Sequence, residues 1–239
     1  MILFIRSYAK FFVKMRVVAP LRAMFVALFA PRPNRDGWER RMLVVNLEAL
    51  GDMVMFTGVL KHYRERFPET RIVLVMKART GLEPFLYPAF VDQVVPVDYR
   101  RFAVDPFYGH SVIASLRRAG FQTVVNQDFS ASEIAGKFIT ISLGAETVIG
   151  SDGLSVEHEH PFDIQQVKNQ RIVERRLLPR YTAVVPTRNI RSTGDRLPNA
   201  IGYYAAIYER LAGGPADEYA PTLAVPDDAD VIREKFGLA

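Results

Sequence analysis

The sequence predicts an α/β protein: a Rossmann-like parallel sheet with helices on both faces. Three observations carry that reading. Short apolar runs rich in β-branched residues, such as Arg71 to Met76 (RIVLVM), alternate with helical patterns about ten to fifteen residues long. The runs are apolar on successive positions, as strands covered on both faces must be. Glycines follow two of the helical patterns, at Gly120 and Gly144, where a helix end calls for a residue free to turn. Repeated βαβ units imply right-handed crossovers and a parallel sheet.

The elements are expected in this order. Arg40 to Leu47 is the first strand, and Met53 to Phe67 the first helix of the domain, stopped near Pro68. Arg71 to Met76 is the second strand. Lys77 to Pro88 is a loop with a short helix. Gln93 to Val97 is the third strand, and Tyr108 to Ala119 a helix. Gln122 to Asn126 is the fourth strand, Ser130 to Leu143 a helix, and Thr147 to Gly150 a fifth strand. The pattern weakens after Gly150. Tyr181 to Val185 is strand-like, and Asn199 to Ala212 is a helix opened by Pro198 and Asn199. Three regions result: 1–36, a basic apolar segment and linker; 37–212, the Rossmann-like domain; 213–239, a Gly/Pro-rich linker and the start of another element.

Composition narrows the function. With 239 residues the chain can bury a sizeable core. It has no cysteine, which excludes disulfides and thiolate-bound zinc. The net charge is +5, but the excess sits at one end. Arg6, Lys10, Lys14, Arg16, Arg22, Arg32 and Arg35 lie in residues 1–35, which hold no acidic residue. The folded domain has no basic stripe of the kind nucleic acid requires. Charges and Pro20 interrupt any run of the ~20 apolar residues that a membrane span needs. A cleaved signal fits poorly, since Pro31 follows the only plausible cut. An interfacial helix on an anionic membrane surface fits residues 1–35 best, and a helix packed on the protein itself stays open.

The most informative stretch is Met42 to Leu60, MLVVNLEALGDMVMFTGVL. It reads as a buried strand, a tight turn holding Gly51 and Asp52, and a helix at the strand's carboxyl end. In open α/β sheets that crevice takes ligands. It lacks the three-glycine dinucleotide fingerprint and the phosphate-loop lysine. Asp52 is open to two readings: a cap on the helix starting at Met53, or a base facing the crevice. Arg100 and Arg101 follow the third strand in VVPVDYRR, either as a solvated pair or as a clamp for a carboxylate or phosphate. In NQDFSAS after the fourth strand, Asp128, Ser130 and Ser132 either cap the next helix or bind the hydroxyls of a ligand. His158 and His160, among Glu157, Glu159 and Asp163, read as a polar loop rather than a metal site.

The strand followed by Leu50-Gly51-Asp52-Met53 and an apolar helix resembles the opening of the family 9 glycosyltransferases, the heptosyltransferases of lipopolysaccharide core synthesis. That resemblance implies a GT-B enzyme of two facing Rossmann-like domains, of which this chain would be the N-terminal, acceptor-binding half. It implies an inverting transfer in which Asp52 is the general base, with Leu50 and Gly51 beside the acceptor and Arg100, Arg101, Asp128 and Ser130 binding it. The chain departs from the family at Asn126 and Phe129, where aspartate and glycine are usual. No cofactor is implied beyond a nucleotide-sugar donor such as ADP-heptose, held mainly by a missing C-terminal domain. The implied partners are a lipid-linked sugar acceptor and the cytoplasmic face of a Gram-negative-type inner membrane, not nucleic acid. The competing reading is a non-catalytic, membrane-peripheral binding module on the same scaffold.

Overall fold

The computed structural model describes residues 21–128, 133–151, 183–185, 200–215 and 219–221. Six strands form one sheet: β1 (Arg41–Asn46), β2 (Arg71–Lys77), β3 (Gln93–Val97), β4 (Thr123–Asn126), β5 (Thr147–Ser151) and β6 (Ala183–Val185). Their order is β3-β2-β1-β4-β5-β6, and every pairing is parallel. This is the doubly wound order with its reversal point between β1 and β4.

Alternation along the strands builds two cores. Met42 and Val44 of β1, with Ile72, Leu74 and Met76 of β2, face one side. Leu43, Val45, Val73 and Val75 face the other. Both faces are apolar because helices cover both. The first side is covered by α2 (Leu50–Arg66), the short α3 (Glu83–Leu86) and α7 (Ala200–Ala212). The second is covered by α5 (Pro106–Ala119) and α6 (Glu133–Ser142), with α4 (Tyr99–Val104) at its edge. Residues 21–29 form a further helix, α1, which lays Ala23 and Val26 into that second core.

Local chemistry sets the element ends. Asp105 accepts the amides of Phe107 and Tyr108, both at 3.0 Å, and Pro106 opens α5. Gly120 closes it at φ +71°, with its amide on the Leu116 carbonyl at 3.1 Å. A side chain at Gly120 would also strike the Asn34 carbonyl, 2.0 Å from an ideal Cβ. β3 contains Pro96, which supplies no amide hydrogen and so suits the edge place this strand holds.

The two elements expected after Gly150 both form within the domain: β6 pairs with β5, and α7 packs against α2. The start of the domain needs correction, because it does not begin after residue 36. Arg22, assigned from sequence to a membrane-facing basic segment, is 1% exposed. Its guanidinium lies over the rings of Phe102 and Phe138, 4.7 and 4.2 Å from their centroids, and donates to the Phe102 carbonyl at 2.7 Å. Aromatic faces and a carbonyl replace the water this cation gives up. Among the described residues, no helix is long and apolar enough to cross a membrane. The basic residues before Pro20 and the His158–His160 cluster lie outside the described residues.

Candidate functional site at the β1/β4 switch point

The carboxyl ends of β1 and β4 lie side by side, with Val45 paired to Asn126. Each strand ends in an asparagine that folds back on its own loop. The Asn46 carboxamide oxygen accepts the Glu48 amide at 3.1 Å, and that of Asn126 accepts the Asp128 amide at 3.2 Å. These side chains turn the chain out of the sheet at adjacent points. Between them the ladder runs one step past the strands. The Gln127 amide donates to the Val45 carbonyl at 2.8 Å, and the Leu47 amide donates to the Asp128 carboxylate.

Glu48 and Asp128 are buried in this crevice, together with Asn46, Asn126 and Gln127. Gln127 donates to the Tyr63 hydroxyl at 2.7 Å. Burial pushes the Tyr63 phenol well above its ordinary range, opposed by the Gln127 bond. Tyr204 enters the same crevice from α7, its ring edge-on to Phe56 at 5.1 Å. Burial is the main force raising its phenol, and the negative charge of Glu48 is next. A hydrogen bond with Asn46 works the other way, while Asp52 and Asp128 add to the rise. Tyr204 therefore keeps its proton, with Glu48, Asp52 and Asp128 near enough for their charge to act on it.

Asp52 does not cap the helix. α2 begins at Leu50 with Ala49 at the cap position, and no side chain caps it. Gly51 and Asp52 belong to the first helical turn rather than to a turn before it. A carboxylate there sits at the positive end of the helix dipole. Asp52 is half-buried and forms no ion pair with any described residue. Leu50 and Gly51 are exposed, and an added Cβ at Gly51 would meet nothing within 4 Å. The lip of the crevice is thus open where Asp52 sits.

The other expected residues fall in different places. Arg100 and Arg101 lie on α4, which Asp98 opens by accepting the Arg101 amide at 3.0 Å. Both are exposed, and β3 stands two strands from β1, about 10 Å across the sheet. Arg101 is engaged by Asp105 at 3.1 Å and stacks over Tyr108 at 4.7 Å. Asp128, expected to cap a helix or bind sugar, lies inside the fold. It is turned inward, holds the Leu47 amide and presses on α6, where an ideal Cβ at Gly136 would lie 1.7 Å from its carboxylate. Ser130 and Ser132 lie outside the described residues.

Sequence reasoning missed Tyr204, Gln127, Glu48 and Tyr63. The one available signal was the pair of asparagines at two strand ends, each two residues before an acid (Asn46 and Glu48, Asn126 and Asp128). Among the described residues, no group of three or more His, Asp or Glu side chains is placed to hold a metal ion.

The fold has known counterparts. A crystal structure of a glycosyl transferase family 9 protein from Veillonella parvula superposes with a TM-score of 0.53 at 16% identity, covering 84% of this chain and 51% of that one. The heptosyltransferase WaaC of E. coli, solved with ADP-2-deoxy-2-fluoro heptose, gives 0.49 at 15% identity over 76% of this chain and 50% of that one. The E. coli ADP-heptose LPS heptosyltransferase II gives 0.48 at 15% identity over 83% and 51%. This chain therefore spans about half the length of each. No known family profile matches the sequence, and no curated protein does. The β1-to-β6 sheet and its helices have the fold seen in a family 9 glycosyltransferase.

Proposed function

We propose that this chain is the acceptor-binding half of an inverting, heptosyltransferase-like glycosyltransferase. One observation carries the reading: Asp52 sits on the first turn of α2 at the open lip of the β1/β4 crevice, in no ion pair with any described residue. The fold shared with a family 9 glycosyltransferase supports it. In the reaction, the Asp52 carboxylate takes the proton of an acceptor hydroxyl as that oxygen attacks the anomeric carbon of a nucleotide-activated sugar. The nucleoside diphosphate leaves from the opposite face, so the configuration inverts. Exposed Leu50 and Gly51 let the acceptor approach the carboxylate. The Tyr204 hydroxyl lies within electrostatic reach of Glu48, Asp52 and Asp128 in the same crevice. The donor, an ADP-heptose-like sugar nucleotide, is bound mainly by a second domain. The acceptor is lipid-linked and presented at the cytoplasmic face of an inner membrane.

The test is transfer from ADP-heptose to a lipid-linked core acceptor, with this chain alone and with it joined to a donor-binding domain. The chain alone is expected to show little turnover. In the joined protein, Asp52→Asn should slow transfer by ~10²–10⁴-fold with the melting temperature unchanged. An Asp52→Asn protein as fast as its parent removes the catalytic reading and leaves the binding module. Vigorous turnover by the 239 residues alone removes the half-enzyme reading.

A further inference from the structure

α1 has two apolar faces, and among the described residues only one has a partner. Arg22, Ala23 and Val26 are buried against α4, α5 and α6. The opposite face presents Leu21, Met24, Leu28 and Phe29 to solvent, with Leu28 66% and Phe29 63% exposed. Phe107, 68% exposed in the first turn of α5, extends the same patch. Phe25 joins them, its ring 5.5 Å from Phe29 and 5.3 Å from Phe107. Sequence spacing could not have joined residue 107 to residues 21–29; the fold does. Large apolar side chains scattered singly over a surface need no explanation, but a contiguous group does.

We propose that this face, Leu21, Met24, Leu28, Phe29 and Phe107, inserts into the headgroup–acyl boundary of an anionic bilayer. Charge selects this occupant. Residues 1–35 hold no anion; of their seven cations Arg22 is buried in the core, and Arg32 and Arg35 are exposed just past the helix. The carboxylate beside Phe107, Asp105, is held by Arg101 and by two backbone amides, so it opposes an anionic surface little. An apolar face with basic flanks is what an interfacial helix needs, since the two attractions add. A second copy of the chain would set cation against cation.

Orientation follows from the seat of α1. Residue 22 lies at Phe102 and Gly109, by the first turn of α5, and Asn34 lies at Arg117, by its last. α1 therefore runs alongside α5, and Leu21 and Phe107 stand at the carboxyl edge of the sheet, where the crevice opens. A bilayer on this face meets the domain beside the crevice. The inference stands without the transfer reaction: bilayer binding and sugar transfer are separate measurements.

The experiment uses the full chain with every residue of 1–20 retained. Flotation with phosphatidylglycerol–phosphatidylcholine vesicles should carry the protein, and pure phosphatidylcholine or high salt should carry much less. The double variant Phe29→Asp, Phe107→Asp should bind anionic vesicles at least about tenfold more weakly, at an unchanged melting temperature. A parent protein that ignores anionic vesicles overturns the proposal. So does a double variant that binds like its parent, which gives the binding to residues 1–20. A lowered melting temperature assigns the patch to the chain's own residues. A dimer broken by the variant assigns it to a second copy. A separate readout covers misfolding: Phe29→Trp should shift its emission to the blue on anionic vesicles and be quenched by brominated acyl chains. No shift also overturns the proposal.

Discussion

Asp128 accepts the Leu47 amide at the point where the β1–β4 ladder has run out of backbone partners. A side chain thereby extends the sheet, and the loops that form the crevice are tied to each other rather than only to their own strands. The same carboxylate lies on Gly136 of α6, where a Cβ would stand 1.7 Å away. Strand, loop and helix meet at one group.

That arrangement predicts coupling. Asp128→Ala strands the Leu47 amide and should cost about 1–3 kcal/mol in urea unfolding. Gly136→Ala drives a methyl into the carboxylate and should cost about 1–3 kcal/mol. In the double variant the methyl enters space the carboxylate has left. Its loss should fall short of the summed single losses by at least about 0.5 kcal/mol. Simple additivity would show that the two residues do not share the space described.

Arg22 tests where the domain begins. Arg22→Ala removes a buried guanidinium from two aromatic rings and the Phe102 carbonyl, and should lower stability by about 1.5–3 kcal/mol. Arg22→Lys should not restore it, because an ammonium cannot lie flat between the rings. A neutral Arg22→Ala in chemical denaturation would return this residue to the surface segment.

Two phenols should resist ionisation. Burial disfavours the phenolates of Tyr63 and Tyr204, so both hold their protons above the ordinary value of 10. The stability linked to each is whole below pH 10 and is lost as pH climbs toward the raised native values. In an absorbance titration of the folded protein, Tyr63→Phe and Tyr204→Phe should therefore leave the tyrosinate amplitude reached by about pH 11 unchanged. A smaller amplitude in either variant would mean that its phenol is open to solvent.

The strands were readable because each run is apolar at successive positions, and only a sheet covered on both sides explains that pattern. Helix ends were readable where a residue has a local role, as at Gly120 and Pro68. Arg22 was misread for a physical reason. A cation in an apolar segment looks alike whether its charge meets lipid headgroups or aromatic rings, and the rings at 102 and 138 are far away in sequence. Tyr204 was invisible likewise. In α7 it is one apolar-face residue among several, and its hydroxyl gains meaning only beside Glu48 and Asp52. Asp52 was placed correctly at the strand-to-helix junction, yet the helix starts at Leu50, so its role as a cap was lost. Short-range pattern reports which faces are covered, whereas the crevice is made of residues up to about 160 positions apart.

Pro96 carries a consequence for assembly. A parallel sheet with a bare flank can recruit a strand from a neighbouring molecule and polymerise edge to edge. On the β3 side the imide nitrogen breaks the row of donors such a ribbon would need. That flank is therefore poorly suited to pairing edge to edge with another sheet.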